Sequence, residues 1–329
     1  MERCRLLIYR LNRYAFLCAM ALPYTINAAD TSYPARPLRL IVPFGAGGSV
    51  DLMTRLISGK LSEQLGQPLL IDNRPGAGGV IGAELGARSK PDGYSLLIGS
   101  SSTLVINPAL RKLPYDTLKD FAPIALLVRL PLVIVTHPSI PARNTRELVA
   151  LAKRNPGKLS FGSIGVGTAN HLVGELFAHA AGVKMVHVPF KGGSAAAVAL
   201  LAGDIEMQVS APNTMLPFVR SGRIRPIATT GTRRAAALPD VETLVEAGYG
   251  ELGITGWYSL VGPAGLPASI VERWNSELRR ALQNADLRNA LLAEGMEPDV
   301  GSPEHLGALM RAELPQWARA VELAGVKAE

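Results

Sequence analysis

Residues 42–51 read Val42-Pro43-Phe44-Gly45-Ala46-Gly47-Gly48-Ser49-Val50-Asp51, between an apolar run, Leu38 to Val42, and an amphipathic run from Leu52 to Leu65. That order predicts strand, glycine turn, helix. The first amides of such a helix have no partner inside it, and the helix dipole adds positive potential at the same point. Together they make a seat for an anion. Gly45, Gly47 and Gly48 allow a sharp bend and let a ligand approach the backbone without meeting a Cβ. Ser49 is placed to cap the helix, and Asp51 falls in its first turn, where negative charge suits the dipole. The same stretch also serves as a plain strand–helix connection, and local sequence leaves both readings open.

Upstream, Arg3, Arg5, Arg10 and Arg13 form a basic segment ahead of a short apolar run, Tyr14 to Pro23, and small residues follow at Ala28 and Ala29. The apolar run is far shorter than the roughly 20 residues that span a bilayer, so residues 1–29 read as a cleaved secretory signal peptide. Phe16 and Leu17 are too large for a lipoprotein signal around Cys18. Both cysteines, Cys4 and Cys18, lie in this leader, so the exported chain has no disulfide to rely on and must be held by its core. Removing the leader takes Lys+Arg from 34 to 30 and Asp+Glu from 27 to 26, and the formal charge from +7 to +4. That mild charge, with no basic stripe interleaved with aromatics, gives no support for nucleic-acid binding.

Downstream, the strand–turn–helix order repeats. Pro68 to Asp72 reads as a strand, Asn73 to Gly79 as a second glycine turn, Val80 to Ser89 as a helix and Tyr94 to Gly99 as a third strand. Such alternation indicates a mostly parallel sheet with helices on its faces. Ser100, Ser101, Ser102 and Thr103 fall at the carboxyl end of the third strand, the edge where open α/β sheets bind ligands; the same hydroxyls suit a helix cap before Leu104. Residues 122–136 are almost continuously apolar and read as strands broken at Pro131 that pass from one lobe to another. A second series follows: helices at 145–155, 169–181, 195–202 and 214–221, with strands at 159–162, 185–188 and 205–209 between them. After strands at 225–230 and 253–262, three helices, 268–284, 286–294 and 303–323, have the first lobe as the surface to cover. The division expected is 30–129 plus 236–329 for lobe 1 and 130–235 for lobe 2.

Several long blocks together are similar to the Bug-type periplasmic solute receptors of tripartite tricarboxylate transporters, the TctC family. They include YPARPLRLIVPFGAGGSVD at 33–51, IDNRPGAGGVIGAELGARSKPDGYSLL at 71–97, SFGSIGVGTANHLVGELF at 160–177, VPFKGGSAAAVALLAGDIEMQV at 188–209 and WYSLVGPAGLP at 257–267. The resemblance implies a two-lobed, type II periplasmic-binding-protein (Venus flytrap) fold with two crossing strands. It implies a small carboxylated ligand in the cleft between the lobes, delivered to the membrane subunits of a transporter, and a periplasmic location. The ligand carboxylate would meet Phe44, Gly47, Gly48 and Ser49, with Ser101 and Thr103 nearby. The opposite lobe would supply Ser163, Gly165, Thr168 and Ala169 at another helix start, though Thr168 also suits a plain cap. Lys191 and Gly192, in a glycine turn, could attract the anion, and an exposed lysine in a surface turn is the alternative. Where the family usually carries an aspartate, this chain has Ser210, which argues against an α-amino acid and for a ligand with a neutral or anionic far end.

An exported α/β enzyme is the rival reading, and its signatures are missing. The sequence has no G-x-S-x-G elbow, H-E-x-x-H, S-x-x-K or Walker-type loop. The three G-x-G turns, at Gly45, Gly76 and Gly165, end at Val50, Ile81 and Asn170, not at the final glycine of a dinucleotide fingerprint. His171, in the first turn of its helix, has no nucleophile beside it and suits packing or polar support. No cofactor or metal is expected, and the chain is expected to be a monomer. A receptor that signals to a two-component sensor would need the same cleft, so sequence leaves transport and sensing open.

Overall fold

The computed structural model describes residues 33–326, so the leader and both cysteines lie outside the described residues. The opening unit folds as its sequence predicts, into β1 (Leu38–Val42), the glycine turn and α1 (Ser49–Leu65). Leu38, Leu40, Ile41 and Val42 are all buried, the near-continuous apolar run of a strand covered on both faces. β1 lies between β2 (Leu69–Asn73) and β3 (Ser95–Ser100), parallel to both, with α2 (Val80–Ala87) joining them. β3 leads into a π-helical turn, Ser102–Ile106, and the short helix α3 (Asn107–Leu110).

The apolar stretch that follows divides into β4 (Phe121–Pro131) and β5 (Val133–Thr136), which belong to different sheets. Pro131 has no N–H to continue a ladder, so the chain changes sheets at Leu132. Thr230, on the returning segment, meets the same point. Its N–H donates to the Leu132 carbonyl and its hydroxyl accepts from the Leu132 N–H, each at 2.8 Å.

The second lobe contains α4 (Thr145–Arg154), β6 (Ser160–Ser163), α5 (Ala169–Ala181) and β7 (Val186–Pro189). It continues with α6 (Gly193–Ala202), β8 (Met207–Ser210), α7 (Pro212–Arg220) and β9 (Arg225–Thr229). Its sheet order is β7-β6-β8-β5-β9, with β5 running against the other four. The chain then returns through β10 (Thr255–Pro263), α8 (Ala268–Gln283), α9 (Ala285–Ala293), β11 (Glu297–Pro298) and α10 (Pro303–Ala324). The first sheet has the order β11-β4-β10-β3-β1-β2, in which β1 to β4 point one way and β10 and β11 the other.

The C-terminal helices cover this first sheet. Trp274 of α8 is fully buried, and the Asn275 amide donates to the Ile124 carbonyl of β4 at 2.8 Å. The indole N–H groups of Trp257 on β10 and Trp317 on α10 both donate to Glu313 Oε2, at 2.9 and 3.2 Å. Burial still holds the Glu313 carboxyl above its ordinary pKa.

Two local expectations change. Gly48, not Ser49, occupies the cap position of α1, with no side-chain cap; Asp51 instead reaches back and accepts the Gly47 N–H at 2.9 Å. Residues 236–249, which the sequence reading gives to the first lobe, pack on the second sheet. Leu238 and Val241 join the core around Val133, Val135 and Leu200, and Thr243 forms a bridge with Thr229. We therefore propose that the return crossing falls near 250–254.

Candidate functional site

The ends of β1, β3, β6 and β8 and the starts of α1, α5 and α6 face one seam between the two sheets. Two small cavities lie in it, of 30 and 20 Å³, with Phe44, Val50, Ile164, Asn170 and Tyr258 in the walls of both. Each exceeds the roughly 10–15 Å³ that one water needs. The first also reaches Gly48, Ser49, Gly192, Gly193, Ser210 and Thr214; the second reaches Ser100, Ser101, Ser102, Ala169 and Trp257. No charged side chain lines either one among the described residues.

What these walls offer is hydrogen-bond donors. Ser49, Val50, Asn170 and Gly193 stand in the first turns of α1, α5 and α6, and their amides make no hydrogen bond to the described chain. Three helix starts from both lobes therefore present unpaired N–H groups and dipole ends around the same space. Ser101 adds a hydroxyl with no side-chain partner among the described residues.

The Asp51 carboxylate sits behind the α1 turn, buried, and is held by Gly47, Arg55 and Asn73. Burial alone would raise its pKa, but these partners outweigh it and hold the carboxyl below its ordinary value. One donor of the glycine turn is thus spent on the chain's own acid, and the Ser49 and Val50 amides remain. Tyr258 donates its hydroxyl to Ser49 Oγ at 2.8 Å, and burial pushes its pKa up to about 12. At the far wall, Ser210 and Thr214 share a hydrogen bond of 2.8 Å, and the Gln208 amide donates to Ser210 Oγ at 3.4 Å. This corner is polar and uncharged.

The structure divides the sequence-predicted site residues into three groups. Phe44, Gly48, Ser49, Ser101, Ala169, Gly192 and Ser210 meet at the two cavities. Gly165 and Lys191 line a more open part of the seam. Gly47, Thr103, Ser163 and Thr168 line none of these spaces and shape the turns instead. Thr103 Oγ1 accepts the Ser100 N–H at 3.0 Å, and Thr168 caps α5 through the His171 N–H.

Ser163 Oγ bonds His187 Nε2 at 2.7 Å and accepts the Gly165 N–H at 3.1 Å. His187 stacks on His171 with ring centroids 3.8 Å apart, and His171 Nδ1 accepts the Gly167 N–H at 3.3 Å. Burial first, and then the neighbouring His171, push the His187 pKa down to about 3. His171, Glu175 and His187 place one nitrogen or oxygen each within 4.8 Å of one another. Stacked rings, however, send their in-plane lone pairs side by side, not toward one ion, so the pair serves as packing behind the 163–168 turn.

Sequence reasoning missed Asn170, Ile164 and Tyr258. Asn170 follows directly on Ala169, so the helix-start argument could have reached it. Tyr258 carries no local signal, because its partner is 209 residues away.

Across the seam the lobes touch directly. The Ala169 N–H donates to Ser102 Oγ at 3.0 Å, Ser194 Oγ to the Gly47 carbonyl at 3.3 Å, and Arg111 Nη2 to the Val166 carbonyl at 3.4 Å.

A family profile described as the tripartite tricarboxylate transporter family receptor (TctC) matches residues 53–326. Protein BugT of Bordetella pertussis is 36% identical over 302 residues, 91% of this chain and 92% of its own. Among solved structures, R. palustris Rpa4515 with adipate is 32% identical and superposes with a TM-score of 0.87, over 90% of this chain and 99% of its own. MatC from Rhodopseudomonas palustris with bound malate is 30% identical with a TM-score of 0.84, over 88% and 100%.

Proposed function

Because this chain belongs to the tripartite tricarboxylate transporter receptor family, we propose that it captures a small carboxylate between its lobes and hands it, unaltered, to membrane permease subunits. The chain is a solute-binding receptor and not an enzyme. One observation carries the carboxylate reading: the starts of α1, α5 and α6 converge from two lobes on cavities that hold unpaired amides and hydroxyls but no charged side chain. An acid gripped there is neutralised by fixed dipoles and needs no counter-ion. Relatives solved with adipate and with malate support the same ligand class. The leader read at 1–29 supports a periplasmic location.

Phe44, Gly48, Ser49, Ser101, Ala169, Asn170, Gly192, Ser210 and Tyr258 form the contact surface in this reading. Contacts to both lobes favour the closed form over any open one, which is how capture becomes a signal for delivery. Thermal-shift screening of a carboxylate library tests it. A ligand at a hundred times its Kd should add about 2.7 kcal/mol of stability. If amines that lack a carboxylate stabilise the protein and no carboxylate does, the reading is wrong.

A further inference from the structure

Beyond Phe44 and Ile164 the seam opens into a larger cavity of 520 Å³, whose wall includes both of those residues. One side is the glycine loop of the first lobe, where Gly76, Ala77, Gly78 and Gly79 all have positive φ. This path brings main chain against main chain across the seam: a Cβ on Gly78 would lie 2.7 Å from the Val166 carbonyl oxygen. The other side comes from Ile164 to Val166 and from Phe190 and Lys191.

The charges here are of one sign. Arg111 and Lys191, one from each lobe, line the cavity, and no carboxylate does so among the described residues. Neither forms an ion pair with a described residue. Arg111 gives Nη2 to the Val166 carbonyl at 3.4 Å, while its Nε is buried with no partner. A buried guanidinium N–H without an acceptor is costly, and its forked donors match a carboxylate.

We propose that this cavity is a second anion subsite. A ligand whose first carboxylate rests among the amides of the inner cavities reaches past Phe44 and Ile164, and Arg111 with Lys191 holds its second carboxylate. The two ends of the site then differ in kind, dipoles at one and cations at the other, and the cargo is a dicarboxylate. This rests on the carboxylate reading above and narrows it.

Calorimetry with adipate and hexanoate, which share a six-carbon chain and differ in the second carboxylate, tests it on the wild type and on Arg111→Gln and Lys191→Gln. Adipate should bind the wild type at least roughly tenfold more tightly than hexanoate. Each variant should lose roughly tenfold or more on adipate and less than about threefold on hexanoate. Arg111→Lys should recover part of the loss. Equal losses on both acids would mean that Arg111 acts only through Val166 on closure, and would overturn the subsite, as would no loss at all. Lys191→Gln leaves the Val166 contact intact, so its result stands apart from closure. A wild type that binds both acids equally sinks the subsite alone; one that binds no carboxylate sinks the functional reading with it.

Discussion

Gly48 lies in the proposed carboxylate seat, on a turn that also serves simply to connect β1 to α1. Its φ of −77° suits any residue, unlike Gly47 at 73°, and a Cβ there would meet the Gly45 carbonyl at 3.1 Å, tight but not prohibitive. In the proposed reading, what it cannot accept is a like charge beside the ligand's carboxylate. Gly48→Asp should weaken carboxylate binding at least about a hundredfold, ~2.7 kcal/mol, while Gly48→Asn, of the same bulk, should lose far less. Equal losses in calorimetry would assign the effect to crowding. The glycines and the first-turn acid were legible in the sequence because their roles are local. The hydroxyl of Ser49 was not, because Tyr258 rather than the helix end claims it.

At the scale of elements, the turn between β6 and α5 is held from behind by an imidazole stack. His187 stays neutral in the fold down to about pH 3, whereas an exposed histidine takes up its proton near 6.5. As pH falls from about 6.5 toward 3, the unfolded chain binds a proton that the folded chain refuses, so stability drops through that window. His187→Gln should flatten this dependence, measured as urea midpoints at pH 7.5 and 5. A variant with the wild-type slope would place the effect elsewhere. The sequence pointed to packing for His171, at helix spacing from its own turn. It carried no sign of the partner on β7, which only strand pairing brings alongside.

For the whole molecule, the proposed capture of ligand depends on the distance between lobes. Residues 30–329 contain no cysteine, so one introduced pair can report closure cleanly. A Cβ at Gly47 would lie 3.4 Å from Ser194 Oγ across the seam, within reach of a disulfide, at the cost of holding a side chain at φ 73°, a strain the open and closed forms share. In Gly47→Cys/Ser194→Cys, saturating carboxylate should speed oxidation to the cross-linked form several-fold, followed by non-reducing electrophoresis. Unchanged rates would mean that closure does not depend on ligand. The crossing at Leu132 was readable from Pro131 within an apolar run. The return was not, because the irregular segment 236–249 takes its place from packing against the second sheet.

By itself the sequence determined the order of strands, glycine turns and helices, the break at Pro131 and the presence of several amide-rich helix starts. These follow from period, glycine placement and proline chemistry within a few residues of one another. Only the tertiary structure decided which starts share a cavity, that Ser163 and Thr168 turn inward while Asn170 and Tyr258 face the seam, and that Arg111 meets the opposite lobe. Those outcomes depend on sheet order and on where the chain changes sheets, and contacts between residues 55 to 209 positions apart, as in Arg111 with Val166 and Tyr258 with Ser49, leave no mark on either one's neighbours.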